Sequence, residues 1–173
     1  MSQFRTESDS MGELQVPANA LYQAQTQRAI NNFKISGLAM PKQFITALAY
    51  IKQAAAQSNA ALGHLSQGKA KAIEQACQEI FDGKHFSEFP VDVFQTGSGT
   101  SSNMNANEVI ATLASKFAGE TIHPNDDVNM GQSSNDVIPT AIAVSSAINI
   151  IYELFPKLDK LSQSLQNKQA EVG

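Results

Sequence analysis

Two runs of small polar residues carry the chemistry that this sequence shows. The first is Gln95-Thr96-Gly97-Ser98-Gly99-Thr100-Ser101-Ser102-Asn103-Met104-Asn105, and the second is Gln132-Ser133-Ser134-Asn135-Asp136. Each stands just ahead of a segment with helical apolar periodicity. A helix start leaves backbone N–H groups without intrahelical partners and carries the positive end of the helix dipole. It therefore attracts anions, and Ser, Thr and Asn side chains add further donors. Two such starts in one chain describe a receptor for a ligand with two negative ends. One residue is enough to cap a helix, so the surplus of hydroxyls and amides points to a ligand.

Simpler readings stand beside this one. The Gly97-Ser98-Gly99-Thr100 turn, taken alone, is a loop with a capped helix after it. It is not a dinucleotide fingerprint, because position 102 is Ser and no strand precedes it. Nor is it a phosphate loop, because no Gly-Lys-Ser/Thr follows. Asn103, Asn105 and Asn107 are poor material for a helix interior, and a chain that keeps them there uses their amides. His123-Pro124-Asn125-Asp126-Asp127 offers an imidazole among polar groups; a surface loop is the plainer reading, a metal site the bolder one. His64 and His85 read as surface residues. Arg28, with Gln25 and Gln27, reads as a buried structural salt bridge or an interface contact. Met104 and Met130 read as walls of a pocket or core.

The elements that must position these runs read as helices. Residues Met1 to Val16 form an extended, polar lead-in. Pro17 opens a helix expected to continue through Phe33. Pro41 suits a first helical position, and Phe44, Leu48, Ile51, Ala55 and Leu62 then mark one buried face, with Gly63 as a stop. A third helix covers Lys69 to Phe81 and ends near Gly83. A fourth runs from Ser101 to Phe117. The second polar run caps a fifth, with Ile138, Ile142, Ser145, Ile148 and Tyr152 on one side and Pro139 placed where a first-turn proline does no harm. Pro156 restarts a sixth, with Leu158, Leu161 and Leu165 on one face. No strand-like alternation of useful length is visible, so the expected fold class is all-α.

Bulk properties narrow the function. The chain has 173 residues, 42% hydrophobic and 16% charged, within the range of a globular protein. A net charge of -4 and the lack of a basic cluster speak against nucleic acid as a partner. Apolar stretches are broken every few residues, so no transmembrane helix is expected, and the first residues lack the apolar region of a signal peptide. The single cysteine, Cys77, lies on an apolar face with Ile73, Ile80 and Phe81 and reads as a buried structural thiol. Such cysteine usage fits a cytoplasmic location. The polar end Asn167–Gly173, and the lack of partners for the Leu-bearing faces after Ile138, read as a truncated protein or as a first domain whose last helices pack elsewhere.

Several motifs in order then resemble the aspartase/fumarase superfamily, and within it the class II fumarases. They are Met11-Gly12-Glu13 with Val16-Pro17-Ala18, Gln25-Thr26-Gln27-Arg28-Ala29, the run from Phe89 to Asn105, His123-Pro124-Asn125-Asp126-Asp127-Val128-Asn129, and Gln132-Ser133-Ser134-Asn135-Asp136. The match runs from about Phe4 to the end. Aspartases tend to have Gly-Ala-Gly-Thr where this chain has Gly97-Ser98-Gly99-Thr100, and Gln-Ser-Thr-Asn where it has Gln132-Ser133-Ser134-Asn135. They also usually begin the loop at His123 with Asn.

The resemblance implies an N-terminal helical lyase domain over residues 1–137 and the start of a central long-helix bundle over 138–173. It implies a fumarate hydratase, which hydrates fumarate reversibly to L-malate in the tricarboxylic acid cycle. It places Ser98, Thr100 and Asn103 in one substrate-binding region and Ser133, Ser134 and Asn135 in another. His123, Asn125 and Asp126 resemble the family's second dicarboxylate site. No metal and no cofactor are implied, and family members are homotetramers. The family's catalytic His and base-bearing mobile loop do not occur in this chain, so residues 1–173 alone are expected to show negligible turnover. An aspartate ammonia-lyase, or a non-catalytic helical piece that binds dicarboxylates, are the alternative readings.

Overall fold

A computed structural model describes residues 3–173. Met1 and Ser2 of the expected lead-in lie outside the described residues. Most of the chain is helical, as expected, but the lead-in is not a simple extended arm. Phe4–Asp9 (β1) and Gly12–Pro17 (β2) form an antiparallel hairpin, in register from Phe4 opposite Pro17 to Asp9 opposite Gly12. The expectation of no strand is corrected here. β1 is polar apart from Phe4, and β2 alternates only over Glu13, Leu14, Gln15 and Val16, so the hairpin offers too short a hydrophobic period to read. The turn closes with the Asp9 side chain accepting from Met11 N–H at 2.8 Å and with Gly12 at φ 110°.

The helix expected from Pro17 starts only at Ala24 and runs to Asn32 (α1). Arg5 explains the delay. Its guanidinium donates to the carbonyls of Pro17, Ala20 and Tyr22 at 2.9, 2.8 and 2.7 Å, and to Ala18 at 3.3 Å. Those carbonyls would otherwise accept the first helical bonds. The helix begins where a different group takes over: buried Glu108 accepts from the N–H groups of Gln23, Gln25 and Thr26 at 2.9, 2.9 and 3.1 Å. A carboxylate at a helix start is the favourable pairing.

Lys42–Ala61 (α2), Gln67–Phe81 (α3) and Thr100–Ala118 (α4) follow within two residues of the expected bounds. Gly63 and Gly83, at φ 78° and 82°, stop α2 and α3. The fourth helix is the centre of the molecule. Val109, Ile110, Ala111 and Ala114 are fully buried on it, against Ile73, Ala76, Cys77 and Ile80 of α3 and Leu48 of α2. Each buried side chain the size of Ile110 stabilises by about 1.5–3 kcal/mol. Cys77 is buried as expected, and burial pushes its thiol up to about 12.

Ser134–Asn149 (α5) and Phe155–Val172 (α6) are not separated by a break. A widened turn, Ile150–Leu154, joins them into one helix of 39 residues. Pro156 follows the widened turn directly, where its missing N–H is accommodated. Pro139 sits inside α5 rather than in its first turn, and so supplies no N–H to the Asn135 carbonyl. The merged helix is long and apolar enough, by length and composition alone, to cross a membrane, with a mean hydropathy of 1.5 in its most apolar window. The broken apolar runs hide this, because two segments counted separately form one helix. Ile142, Ile151, Tyr152, Phe155, Leu158, Leu161 and Leu165 on it are exposed.

Candidate functional site

The two polar runs meet. Gly99 caps α4 at φ 66°, and Ser133 caps α5, its hydroxyl accepting from Asn135 N–H at 3.3 Å. The Ser98 and Thr100 hydroxyl oxygens are 2.7 Å apart, and those of Thr100 and Ser134 are 3.0 Å apart. The approach requires the glycine. A Cβ on Gly99 would lie 2.9 Å from Cδ1 and Cγ1 of Ile138, on the facing helix. Two helix starts thus present their positive ends and a chain of three hydroxyls to one place.

The backbone at α4 is less available than the sequence implies. Thr96 Oγ1 accepts Ser101 N–H at 3.2 Å, and Gln95 Oε1 accepts Ser102 N–H at 2.8 Å. Gln95 is itself anchored, its amide nitrogen donating to Asp92 O at 2.9 Å and Ser102 Oγ at 2.8 Å. Anion binding at α4 therefore rests on the first turn's remaining N–H, on the dipole, and on the hydroxyls. A cleft of about 250 Å³ opens beside Thr100. Its walls include Thr96, Ser101 and Met104 of this run, and Asp9, Met11 and Arg28 opposite. Arg28 holds the hairpin tip there, donating to both carboxylate oxygens of Asp9 at 3.0 and 2.7 Å. A salt bridge is one of the two roles expected of Arg28, though its Arg28 end is half-buried rather than buried, and the paired fork fixes one wall of the cleft.

Ser98, Ser133 and Asn135 are exposed, and Thr100 and Ser134 are half-buried; of these five, Thr100 is the one that lines the cleft. Asn103 is placed differently. It is 2% exposed, its Oδ1 accepts from Lys52 Nζ at 2.7 Å, and its amide nitrogen donates to Asn129 Oδ1 at 3.2 Å. Its side chain lies beneath the site, not in it. The other helix asparagines also use their amides inward: Asn105 donates to Glu88 O at 2.9 Å, and Asn107 to the Met104 sulfur at 3.4 Å. Three buried amides in α4 are thus knitted into the core. Lys52 is the residue that the sequence analysis missed. Fully buried on α2, it donates to Asn103, Asn129 and Gln132. One lysine in an Ala-rich helical face reads as a solvated charge, and only the fold brings its acceptors together.

The His123 loop forms a second, separate feature. His123 Nδ1 accepts from the N–H groups of Asn125 and Asp126 at 3.3 and 3.2 Å, so the neutral ring carries its proton on Nε2. Asp127 anchors the loop, accepting from Lys69 Nζ at 2.9 Å and from His123 N–H at 2.7 Å. His123, Asn125 and Asp126 are exposed. His123 and Asn125 border a cleft of about 270 Å³ whose other walls include Asp9 and Glu108. Burial pushes the Glu108 carboxyl upward against the pull of its hydrogen bonds from Thr26, Gln23 and Gln25. Among the described residues no three His, Cys, Asp or Glu side chains are placed to hold a metal ion.

This fold, with two helix starts converging on hydroxyl-rich turns, coincides with that of a known enzyme class. The sequence profile described as lyase matches residues 12–172, and the chain belongs to that lyase family. Its relatives narrow the likeness to one enzyme type. The chain is 55% identical over 170 residues to a class II fumarate hydratase of Xylella fastidiosa, covering 98% of this chain and 36% of that protein. It is 54% identical over 165 residues to a class II fumarate hydratase of Mycobacterium tuberculosis, covering 95% and 35%. Among solved structures, a class II fumarase from Schistosoma mansoni superposes with a TM-score of 0.92 at 41% identity, over 97% of this chain and 37% of that one. A fumarate lyase:delta crystallin from Brucella melitensis superposes with a TM-score of 0.81 at 47% identity, over 84% and 36%. The chain spans little more than a third of the length of these relatives.

Proposed function

We propose that the protein is a fumarate hydratase, catalysing the reversible addition of water to fumarate to give L-malate, and that this chain supplies its dicarboxylate-binding half-site. The observation that carries the reading is the contact between the two helix starts, Thr100 against Ser134 with Ser98 alongside. The relatives that match nearly the whole chain at 55% identity support it.

The chemistry follows from the groups present. Removing the proton beside a carboxylate of malate creates a doubly charged aci-carboxylate, a high-energy species unless its charge is met by fixed donors. The start of α5, with Ser133, Ser134 and Asn135, offers such donors in place before reaction. Ser98 and Thr100 at the start of α4 hold and orient the other carboxylate. Departure of the hydroxyl then needs a proton from an acid, a role for which none of these five side chains is suited. Asn103 acts from beneath, through Lys52, rather than on the ligand.

The enzyme works as a homotetramer on this reading. The exposed apolar residues along α5 and α6 are the surface such an assembly would bury. His123, Asn125 and Asp126 make a second dicarboxylate site outside the main cleft, and a cytoplasmic location completes the picture. The test is an assay of the complete gene product with fumarate, L-malate and L-aspartate. Interconversion of fumarate and malate without ammonia release is the expected result. Ammonia release from aspartate would replace the hydratase by an ammonia-lyase, and binding without turnover would reduce the protein to a dicarboxylate-binding module.

A further inference from the structure

Lys52 is an amine set in the core of the molecule. It is fully buried, and no carboxylate pairs with it among the described residues. A buried charge without a counter-ion is costly, and an apolar residue would fill this place on α2 with less penalty. Burial pushes the amine down to about 7. Yet its surroundings are built for an ammonium. Nζ meets Asn103 Oδ1 at 2.7 Å, Gln132 Oε1 at 2.8 Å and Asn129 Oδ1 at 2.9 Å, three acceptors for three N–H groups.

The acceptors are placed with respect to the site. Asn103 lies one turn inside α4 from Thr100, which carries the hydroxyl chain. Gln132 immediately precedes Ser133, the cap of α5. Asn129 links them, accepting from the Asn103 amide at 3.2 Å and donating to Gln132 O at 3.1 Å. Gln132 is further fixed through its own amide to Val128 O at 2.9 Å. One cation thus ties the back of both helix starts together, while their front surfaces touch through Thr100 and Ser134.

We propose that Lys52 is a positioning residue: by clamping Asn103 and Gln132 it sets the separation of the two helix starts, and so the spacing of the donors that grip the two carboxylates. This rests on the hydratase reading for its kinetic consequence, but not for its structural one. The experiment therefore has two readouts on the complete gene product. In the first, Lys52→Met lowers kcat/KM for fumarate by more than about tenfold while cooperative melting is retained. In a Thr100→Ala/Ser134→Ala background the same substitution costs less than about threefold, because it acts through those hydroxyls. In the second, amide hydrogen exchange in Lys52→Met rises in the first turns of α4 and α5 and in residues 129–133, with α3 unchanged.

Full additivity of the losses, or a folded Lys52→Met within about twofold of wild type, overturns the assignment. So does a rise in exchange spread evenly over the chain. Where Lys52→Met does not fold, Asn103→Ala carries both readouts, since it removes one acceptor and leaves the cation two; unchanged exchange at α5 in that variant sinks the idea. A wild-type product inactive on fumarate refutes the hydratase reading alone, and the exchange pattern still decides the role of Lys52.

Discussion

The hydroxyl oxygens of Thr100 and Ser134 lie 3.0 Å apart, although 34 positions separate the residues in the chain. That contact turns two separate helix starts into one donor cluster. It depends on Gly99, which lets the starts approach, and on the buried bracket around Lys52 behind them. Neither helix start alone distinguishes a diacid from any other anion. On the proposed reading the pair does, because its donors come from two directions with a fixed separation.

Removing donors from either side should therefore slow the reaction rather than merely weaken the fold. In the complete gene product, Thr100→Ala and Asn135→Ala should each lower kcat/KM for fumarate by more than about tenfold, the usual scale for losing one fixed donor to a developing charge. Thr100 is half-buried and Asn135 exposed, so both variants should melt close to wild type. Steady-state kinetics beside a melting curve checks this. Unchanged kinetics in both variants would take the site away from these turns.

Gly99 should tolerate no side chain. Its φ of 66° is strained for any L-residue, and an added Cβ meets Ile138 at 2.9 Å. Gly99→Ala should destabilise by about 1–3 kcal/mol. Combining it with Ile138→Val removes only the Cδ1 contact and should recover part of the loss. Thermal unfolding of the three variants measures both effects; a Gly99→Ala protein as stable as wild type would show that the helix starts are not held this close.

The helices around the site were legible because each carries its own signals. Pro41, Gly63 and Gly83 punctuate α2 and α3, and the hydroxyl runs announce the starts of α4 and α5. What escaped depends on contacts between distant residues. Arg5 takes four carbonyls and delays α1 to Ala24. Lys52 finds its acceptors 51, 77 and 80 positions away. The hairpin escaped for another reason: β1 is polar apart from Phe4, and the alternation in β2 covers only Glu13 to Val16. The meaning of Asn103 was half-legible. A helix that keeps such a residue does use its amide, but toward a buried cation.

Cys77 should be silent in the native protein. It is fully buried, and burial raises its thiol to about 12, so almost no thiolate exists near neutral pH. Incubation with iodoacetamide followed by intact mass measurement should show no adduct when folded, and one adduct after denaturation. Rapid labelling of the native chain would place the α3–α4 contact open to solvent.

Asp92 should make the molecule sensitive to acid. Its carboxylate accepts from the N–H groups of Ser36, Gly37 and Phe94 at 2.7, 2.7 and 2.8 Å, and from the Ser36 hydroxyl at 2.9 Å. Burial alone would raise its pKa, but those donors prevail and hold it at about 2 against an ordinary 3.8. A carboxyl depressed in the folded state contributes stability above its unfolded value, and that contribution is lost as pH falls through the folded one. The loss should thus fall between about 3.8 and about 2. Asp92→Asn turns an amide donor toward three N–H groups, so at neutral pH it should be clearly less stable than wild type. The gap in denaturant midpoint should narrow steadily as pH drops through that window, since wild type loses what the variant never had. Because Asp92 O also receives the Gln95 amide that caps α4, the same titration should loosen the start of that helix. A gap independent of pH would mean that the Ser36–Gly37 turn does not hold Asp92 ionised.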